Sequence, residues 1–194
     1  MSETIKNLAA AFVGESQARN RYTIYAKIAK KEGYEQISAI FNETAEQERE
    51  HAKWLFRMIN QLKDQGEDVE TIELENVEVP TVHGKTKENL QAAIDGETYE
   101  HESMYPEFAV KAAEEGFKDI AARLTAIAKA EEHHHERYAK LLKEVEAESV
   151  FKKGEKKRWF CRKCGYWHEG EEAPEECPSC GHPQAYFQVD SEQY

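Results

Sequence analysis

Two short motifs, Glu48-x-x-His51 and Glu131-x-x-His134, set a carboxylate and an imidazole one helical turn apart on one face. Such side chains together make a metal-ligating pair, and an oxygen-rich set with two imidazoles suits iron or manganese better than zinc or copper. A second group is Cys161-x-x-Cys164 and Cys177-x-x-Cys180. Two such pairs close together read as a tetrahedral thiolate site for zinc or a single iron rather than a disulfide framework. Gly165 and Gly181 follow the second cysteine of each pair, permitting the positive φ that a tight turn around a metal needs. Spacing alone does not separate zinc from iron.

The glutamates gain force from the stripes on which they lie. Segments 3–32, 34–64, 88–115 and 117–148 are rich in Ala, Glu, Lys, Gln and Leu and read as four helices, with Pro106 their single proline. Steps of three and four trace Ile5, Leu8, Phe12, Glu15 and Tyr22 along the first, and Ile37, Phe41, Glu48, His51 and Leu55 along the second. The third gives Leu90, Ile94, Glu97 and Met104, and the fourth Ile120, Leu124, Glu131, His134 and Tyr138. Every helix thus sets a glutamate mid-stripe. Burying an ionised carboxylate costs of order 20 kcal/mol by the idealised Born value, and still several after relaxation. Arg19 is the one cation on these stripes and cannot neutralise four carboxylates; bound metal can. Any one of these glutamates could equally reach water at the bundle edge, but four at one level could not.

The helix pairs repeat. Shifted by 83 positions, Glu32-Gly33-Tyr34 falls on Glu115-Gly116-Phe117, Glu48 on Glu131, His51 on His134 and Tyr22 on Tyr105. Gly14-Glu15 falls on Gly96-Glu97 only with a slip of one residue. The repeat selects His134 from the run 133–135, leaving His135 as the fallback and His133 at the surface. Glu100 breaks the symmetry, since its counterpart is Ala18. It competes with His101 for the inward direction, and a fifth carboxylate brings the cluster near the charge of two irons, which favours Glu100 as a ligand. His83, His168 and His182 read as solvated loop residues.

The elements that must position these groups follow. Gly33 and Gly116 close two helical hairpins. Residues 66–87 form a crossover, extended over 71–80, and one long crossover between the second and third helices is ferritin-like. From about residue 152 the composition changes: 152–158 reads as a basic linker, and all four cysteines lie beyond it. The expected organisation is a bundle over 1–150 and a small four-cysteine domain over 151–194. The chain of 194 residues carries a net charge of −12, which argues against nucleic acid as a partner. Residues 1–7 have no apolar stretch of signal-peptide length and no window approaches a membrane span, so a cytoplasmic protein is expected.

With these motifs assembled, the chain resembles the rubrerythrin family over essentially its whole length. The resemblance rests on Gly14-Glu15-Ser16-Gln17-Ala18-Arg19-Asn20-Arg21-Tyr22, Glu48-Arg49-Glu50-His51, Gly96-Glu97-x-x-Glu100, Met104-Tyr105-Pro106, Glu131-Glu132-His133-His134 and both cysteine pairs. It implies an all-α four-helix ferritin-like bundle with a small C-terminal rubredoxin-like (zinc-ribbon-like β) domain. It implies two non-haem irons on Glu15, Glu48, His51, Glu97, Glu100, Glu131 and His134, and one iron on Cys161, Cys164, Cys177 and Cys180. The implied activity is reduction of hydrogen peroxide to water, with electrons from rubredoxin or an NAD(P)H-dependent reductase. The implied assembly is a homodimer or higher in which one subunit's small domain nears the other's di-iron site. The resemblance further implies that one iron exchanges Glu100 for His51 as a ligand on reduction, with released Glu100 then carrying a proton to the leaving oxygen. Tyr22 and Tyr105, matched by the repeat, are expected to hydrogen-bond the ligand carboxylates, the alternative being plain core packing. The 12 residues between Cys164 and Cys177 are fewer than in free-standing rubredoxins. Two rivals share parts of the pattern: a ferroxidase or iron-handling protein, and a non-enzymatic metal-binding module with a zinc ribbon.

Overall fold

The computed structural model describes residues 1–66, 69–75 and 77–191. The parts of the expected crossover and small domain that fall on Glu67, Asp68, Asn76 and 192–194 lie outside the described residues.

Helix α1 runs Glu3–Lys31, its first turn capped by the Ser2 hydroxyl accepting from Ile5 N–H. It ends at Gly33, whose φ of 86° lets Gly33 N–H reach Lys30 O at 3.1 Å and Tyr34 N–H reach Ala29 O at 2.9 Å. The chain then turns back as α2, Glu35–Asp64. The second hairpin closes the same way: Gly116 has φ 92°, with Phe117 N–H on Ala112 O at 2.8 Å, before α5, Lys118–Glu146. The internal repeat therefore extends to the hydrogen bonds of the caps.

The third helix differs from the continuous segment expected. It is α3, Thr86–Tyr99, then one π turn over Glu100–Met104, then α4, Tyr105–Glu114. Tyr105 N–H donates to Glu100 O, five residues back. This turn is the physical form of the slip in the repeat, because Glu15 and Tyr22 are seven apart whereas Glu97 and Tyr105 are eight. One extra residue absorbed as a π turn keeps both tyrosines on the core stripe, a device that recurs at functional sites.

On each helical arm the glutamate separates two apolar layers. One contains Ile5, Leu8, Leu55, Leu62 and Leu124, and the other Tyr22, Tyr25, Phe41, Leu90 and Tyr138. Val69, Ile72 and Leu74 of the crossover pack against the first layer, with no regular element among the described crossover residues before Thr86.

The C-terminal part is a three-stranded antiparallel sheet of order β2-β1-β3, with β1 Lys152–Cys161, β2 Trp167–Glu172 and β3 Phe187–Val189. Residues 152–158 are thus the first part of β1 and not a linker. Their basic side chains are exposed or half-buried, so the charge that suggested a linker decorates a strand, with an irregular register between Lys152 and Lys157. His168 likewise sits on β2 opposite Trp159 and is not a loop residue. Buried Trp159, Cys161, Cys177 and Phe187 form the small core. This part touches the bundle at the turn between α1 and α2 and at the end of α5: Phe151 stacks on Tyr34 with centroids 6.2 Å apart, and Lys153 pairs with Glu144. Among the described residues no helix is long and apolar enough to cross a membrane.

Candidate metal centres

The four mid-stripe glutamates meet in one layer. Glu15, Glu97 and Glu131 are fully buried and Glu48 is 1% exposed, with His134 at 2%. Glu131 presents Oε1 to His51 Nδ1 and Oε2 to His134 Nδ1, each at 2.8 Å. Glu48 does the same, with Oε2 3.0 Å from His51 Nδ1 and Oε1 3.2 Å from His134 Nδ1. Glu15 faces only His51, at 3.7 Å, and Glu97 only His134, at 3.4 Å. The result is two quartets, Glu15-Glu48-His51-Glu131 and Glu48-Glu97-Glu131-His134, sharing two carboxylates. This pseudo-symmetry is the sequence repeat in three dimensions, and shared carboxylates are what a two-metal centre in a bundle requires.

His51 Nδ1 shares a hydrogen bond with Glu48 Oε2 at 3.0 Å, but most of the other donor atoms have no such partner. Glu15 Oε2, Glu48 Oε1, Glu97 Oε2, both Glu131 oxygens and His134 Nδ1 are buried with no hydrogen bond of acceptable geometry. Orphaned buried acceptors in such number are costly unless cations hold them, so the residues fit two metal ions.

The remaining hydrogen bonds aim these groups. Tyr22 Oη donates to Glu97 Oε1 at 2.5 Å, and Tyr105 Oη donates to Glu15 Oε1. Each tyrosine crosses to a carboxylate of the other half of the repeat. His134 Nε2 lies 2.9 Å from Gln47 Oε1, an oxygen that also accepts from Arg137, so Nε2 carries the proton and Nδ1 is free to ligate. Gln47 and Arg137 were not found from sequence. The counterpart of Gln47 in the repeat is Ala130, and among the described residues no side chain takes up the second nitrogen of His51.

Glu100 is turned inward and is 8% exposed, but it belongs to neither quartet. His101 turns aside, its Nδ1 on Glu97 O at 2.7 Å and its ring 5.2 Å from that of His135. His133 is exposed, and His83 lies exposed in the crossover. His182 is half-buried against Tyr186.

Crowding shapes the protonation of the cluster. Burial, then the Glu131, Glu48 and Glu100 charges, hold Glu15 well above the usual carboxylate range; burial and its neighbours do the same for Glu100. Burial carries Glu97 to about 8. For Glu48 burial acts upward, but His134 and His51 win and bring it to about 2. Burial pulls both imidazoles down, yet the surrounding carboxylates raise His51 to about 10 and His134 to about 12.

The four cysteines form a separate group with ligand atoms close together. Their sulfurs are free, with Cys161 Sγ 3.8 Å from Cys180 Sγ and Cys164 Sγ 3.6 Å from Cys177 Sγ. A tetrahedron with metal–sulfur bonds of about 2.3 Å has edges of roughly 3.8 Å, so the thiols fit one metal ion. The two knuckles match: Gly165 N–H reaches Cys161 O at 2.9 Å and Gly181 N–H reaches Cys177 O at 2.8 Å, both glycines having positive φ. A hydrogen bond from the Tyr166 backbone leads the effects that lower Cys164 to about 6. The His182 backbone pulls Cys180 down, but burial and the other sulfurs push it up to about 12. One thiolate is thus ready to meet a cation, which would deprotonate the rest.

A four-helix bundle with a carboxylate-bridged pair of metal positions defines a ferritin-like di-metal protein. The rubrerythrin family model matches residues 6–142, and the model for the rubrerythrin rubredoxin-like domain matches residues 159–188. A Methanocaldococcus jannaschii relative bearing the rubrerythrin name is 60% identical, covering 100% of this chain and 96% of its own length. Rubrerythrin-1 of Clostridium acetobutylicum is 52% identical, over 100% of this chain and 97% of that protein. The solved structure of fully reduced, all-ferrous nigerythrin superposes with a TM-score of 0.63 at 34% identity, covering 98% of this chain and 88% of that one. The chain belongs to the rubrerythrin family. Its cofactors are accordingly a di-iron centre and an iron in the four-cysteine site.

Proposed function

We propose that this chain is a non-haem di-iron peroxidase that reduces hydrogen peroxide to water, with electrons relayed from the four-cysteine iron. The observation that carries this reading is the presence, on one chain, of a buried carboxylate–imidazole centre for two metals and a thiolate site for a third. We take 1–150 as the peroxide-reducing unit and 151–194 as the electron-transfer unit.

Glu15, Glu48, His51, Glu97, Glu131 and His134 would hold the two irons, Glu48 and Glu131 being common to both groups of ligands, with Glu100 as a further carboxylate ligand. When bound and reduced, the irons supply the two electrons of H2O2 + 2 e− + 2 H+ → 2 H2O. The chain itself supplies position and protons. Tyr22 and Tyr105 hold one oxygen each of Glu97 and Glu15, leaving the other oxygen free to ligate. Gln47 fixes the tautomer of His134. In the metal-free chain burial and the charges of Glu97, Glu131 and Glu48 hold the Glu100 carboxyl well above the usual carboxylate range, and Glu100 would give a proton to the departing oxygen. By family resemblance His51, whose second nitrogen has no partner among the described residues, would exchange with Glu100 as a ligand when the centre is reduced. The apolar layers on both sides exclude bulk water. By family resemblance the donor is a rubredoxin-type protein or an NAD(P)H-dependent reductase, and the working unit a homodimer or larger in the cytoplasm.

The test is stopped-flow oxidation of the reduced protein by peroxide and by dioxygen. Peroxide should react at least ten times faster. If dioxygen reacts faster, the protein is an oxidase or ferroxidase and the peroxidase reading is lost.

A further inference from the structure

The helix interiors at Gly14 and Gly96 pose a question that the metal centre does not answer. Glycine is less favourable than alanine in mid-helix, and its use there is normally explained by a positive φ or by a close approach of another chain segment. Neither applies. Both residues lack positive φ, and among the described residues a Cβ built on either would meet nothing within 4 Å. Each directly precedes a cluster glutamate, and the two correspond in the internal repeat. Both line the same cavity, a space of about 400 Å³ between α1 and α3 beside the crossover.

Of the seven acidic-cluster residues, Glu100 alone lines this cavity. The other walls include the apolar side chains of Val13, Leu74, Val77, Pro80, Met104 and Phe108. Gln17, Arg21, Glu75 and Glu78 add polar groups to the lining, but a passage for hydrogen peroxide alone needs neither this volume nor the apolar share of these walls. Such a space suits a molecule with a hydrocarbon body and a small polar end directed at Glu100.

We propose that the α1–α3 cavity, held open by the missing side chains of Gly14 and Gly96, is a binding site for organic hydroperoxides, ROOH, whose O–O group lies toward Glu100. The proposal rests on the peroxidase reading above and names a second substrate class for that centre. The reaction is ROOH + 2 e− + 2 H+ → ROH + H2O. The O–O bond breaks, the electrons come from the reduced di-iron centre, and each oxygen ends with one added proton. The apolar R group stays in the cavity as part of the alcohol.

The probes are cumene hydroperoxide and its alcohol product, 2-phenylpropan-2-ol, used on the iron-loaded full chain. Calorimetry should show the alcohol binding to the wild type, with affinity falling at least ten-fold in Gly14→Leu and in Gly96→Leu. In stopped flow, the ratio of the cumene hydroperoxide rate to the hydrogen peroxide rate should fall at least ten-fold in the same variants. Because leucine could disturb folding, Gly14→Ala and Gly96→Ala serve as the second pair. With open space for the methyl group, each should raise Tm by about 2–4 °C while weakening alcohol binding. No alcohol binding by the wild type, or an unmoved rate ratio in folded leucine variants, would overturn the proposal. Binding of the alcohol without oxidation of the reduced protein by either peroxide would instead overturn the peroxidase reading, and with it the substrate role of the cavity.

Discussion

At the scale of single residues, the two halves of the centre match in their ligands but differ in what supports them. His134 is held by Gln47, whereas the repeat puts Ala130 at the corresponding place for His51. Losing such an orienting partner typically costs 10–100-fold in metal affinity, about 1.4–2.7 kcal/mol. Gln47→Leu should therefore weaken retention of one iron of the pair by that factor, read by chelator competition, and leave the cysteine iron untouched. Gln47→Glu, which keeps an acceptor, should restore most of the affinity; equal retention in the leucine variant would show that Gln47 has no orienting role. The cluster also dictates a pH dependence for metal-free protein. Glu97 is raised to about 8 and His51 to about 10, so the folded chain binds more protons than the unfolded one from about pH 4.5 to 10. Stability from these groups is fully present at the acid end of that window and is lost as pH rises through it. Glu48, lowered to about 2, acts oppositely, losing its contribution only as pH falls below the usual carboxylate range. Thermal melts should give a Tm of metal-free protein that falls from pH 5.5 to 8.5. Iron-loaded protein, in which cations replace those protons, should change less, so the gap between the two widens with pH. A metal-free Tm that rises over this range would contradict the assigned protonation.

At the scale of elements, equal-looking glycines have opposite energetics. Gly116 ends α4 with φ 92°, a conformation that costs an L side chain roughly 1–2 kcal/mol. Gly116→Ala should lower stability by about 1 kcal/mol in urea unfolding, while a substitution with no loss would mean the cap relaxes freely. Both hairpins were legible in the sequence because Glu-Gly-aromatic recurs at the same phase, and the Glu-x-x-His motifs were legible because a carboxylate on an apolar stripe is an anomaly. The π turn was legible only as a one-residue slip of the repeat. Its cause lies in the need to keep both Glu97 and Tyr105 facing the core, which becomes visible when the opposing helices are in place. The strand at 152–158 was hidden by its charge: lysines suit the solvent face of an edge-exposed hairpin as well as a linker, and only pairing with β2 distinguishes them. Gln47 carried no sequence signal, since its meaning comes from His134, 87 positions away.

At the scale of the whole molecule, the question is how two metal sites divide the work. The bundle has apolar layers on both sides of its acidic centre, and the sheet has its own small core around Trp159 and Phe187. The two cores are separate, and the joint lies at the surface: Tyr34 meets Phe151, Lys153 pairs with Glu144, and residues 184–189 lie against α2. A chain ended at Val150 should therefore fold, with the circular dichroism of the helices preserved and iron bound at the acidic centre. Chemically reduced, it should still consume roughly one peroxide per site in a single turnover, because in the proposed reaction both electrons of O–O cleavage come from the bundle. Repeated turnover with a rubredoxin-type donor should slow at least ten-fold, since each electron must then reach a buried centre without the cysteine-bound iron. A ferroxidase would behave otherwise: its iron oxidation would be indifferent to the loss of the small domain. Stopped-flow measurement of single and multiple turnover on the full and shortened chains separates the two cases. If repeated peroxide turnover by the shortened chain matches that of the full chain, the C-terminal iron is not a relay, and the pairing of sites on one chain needs another explanation.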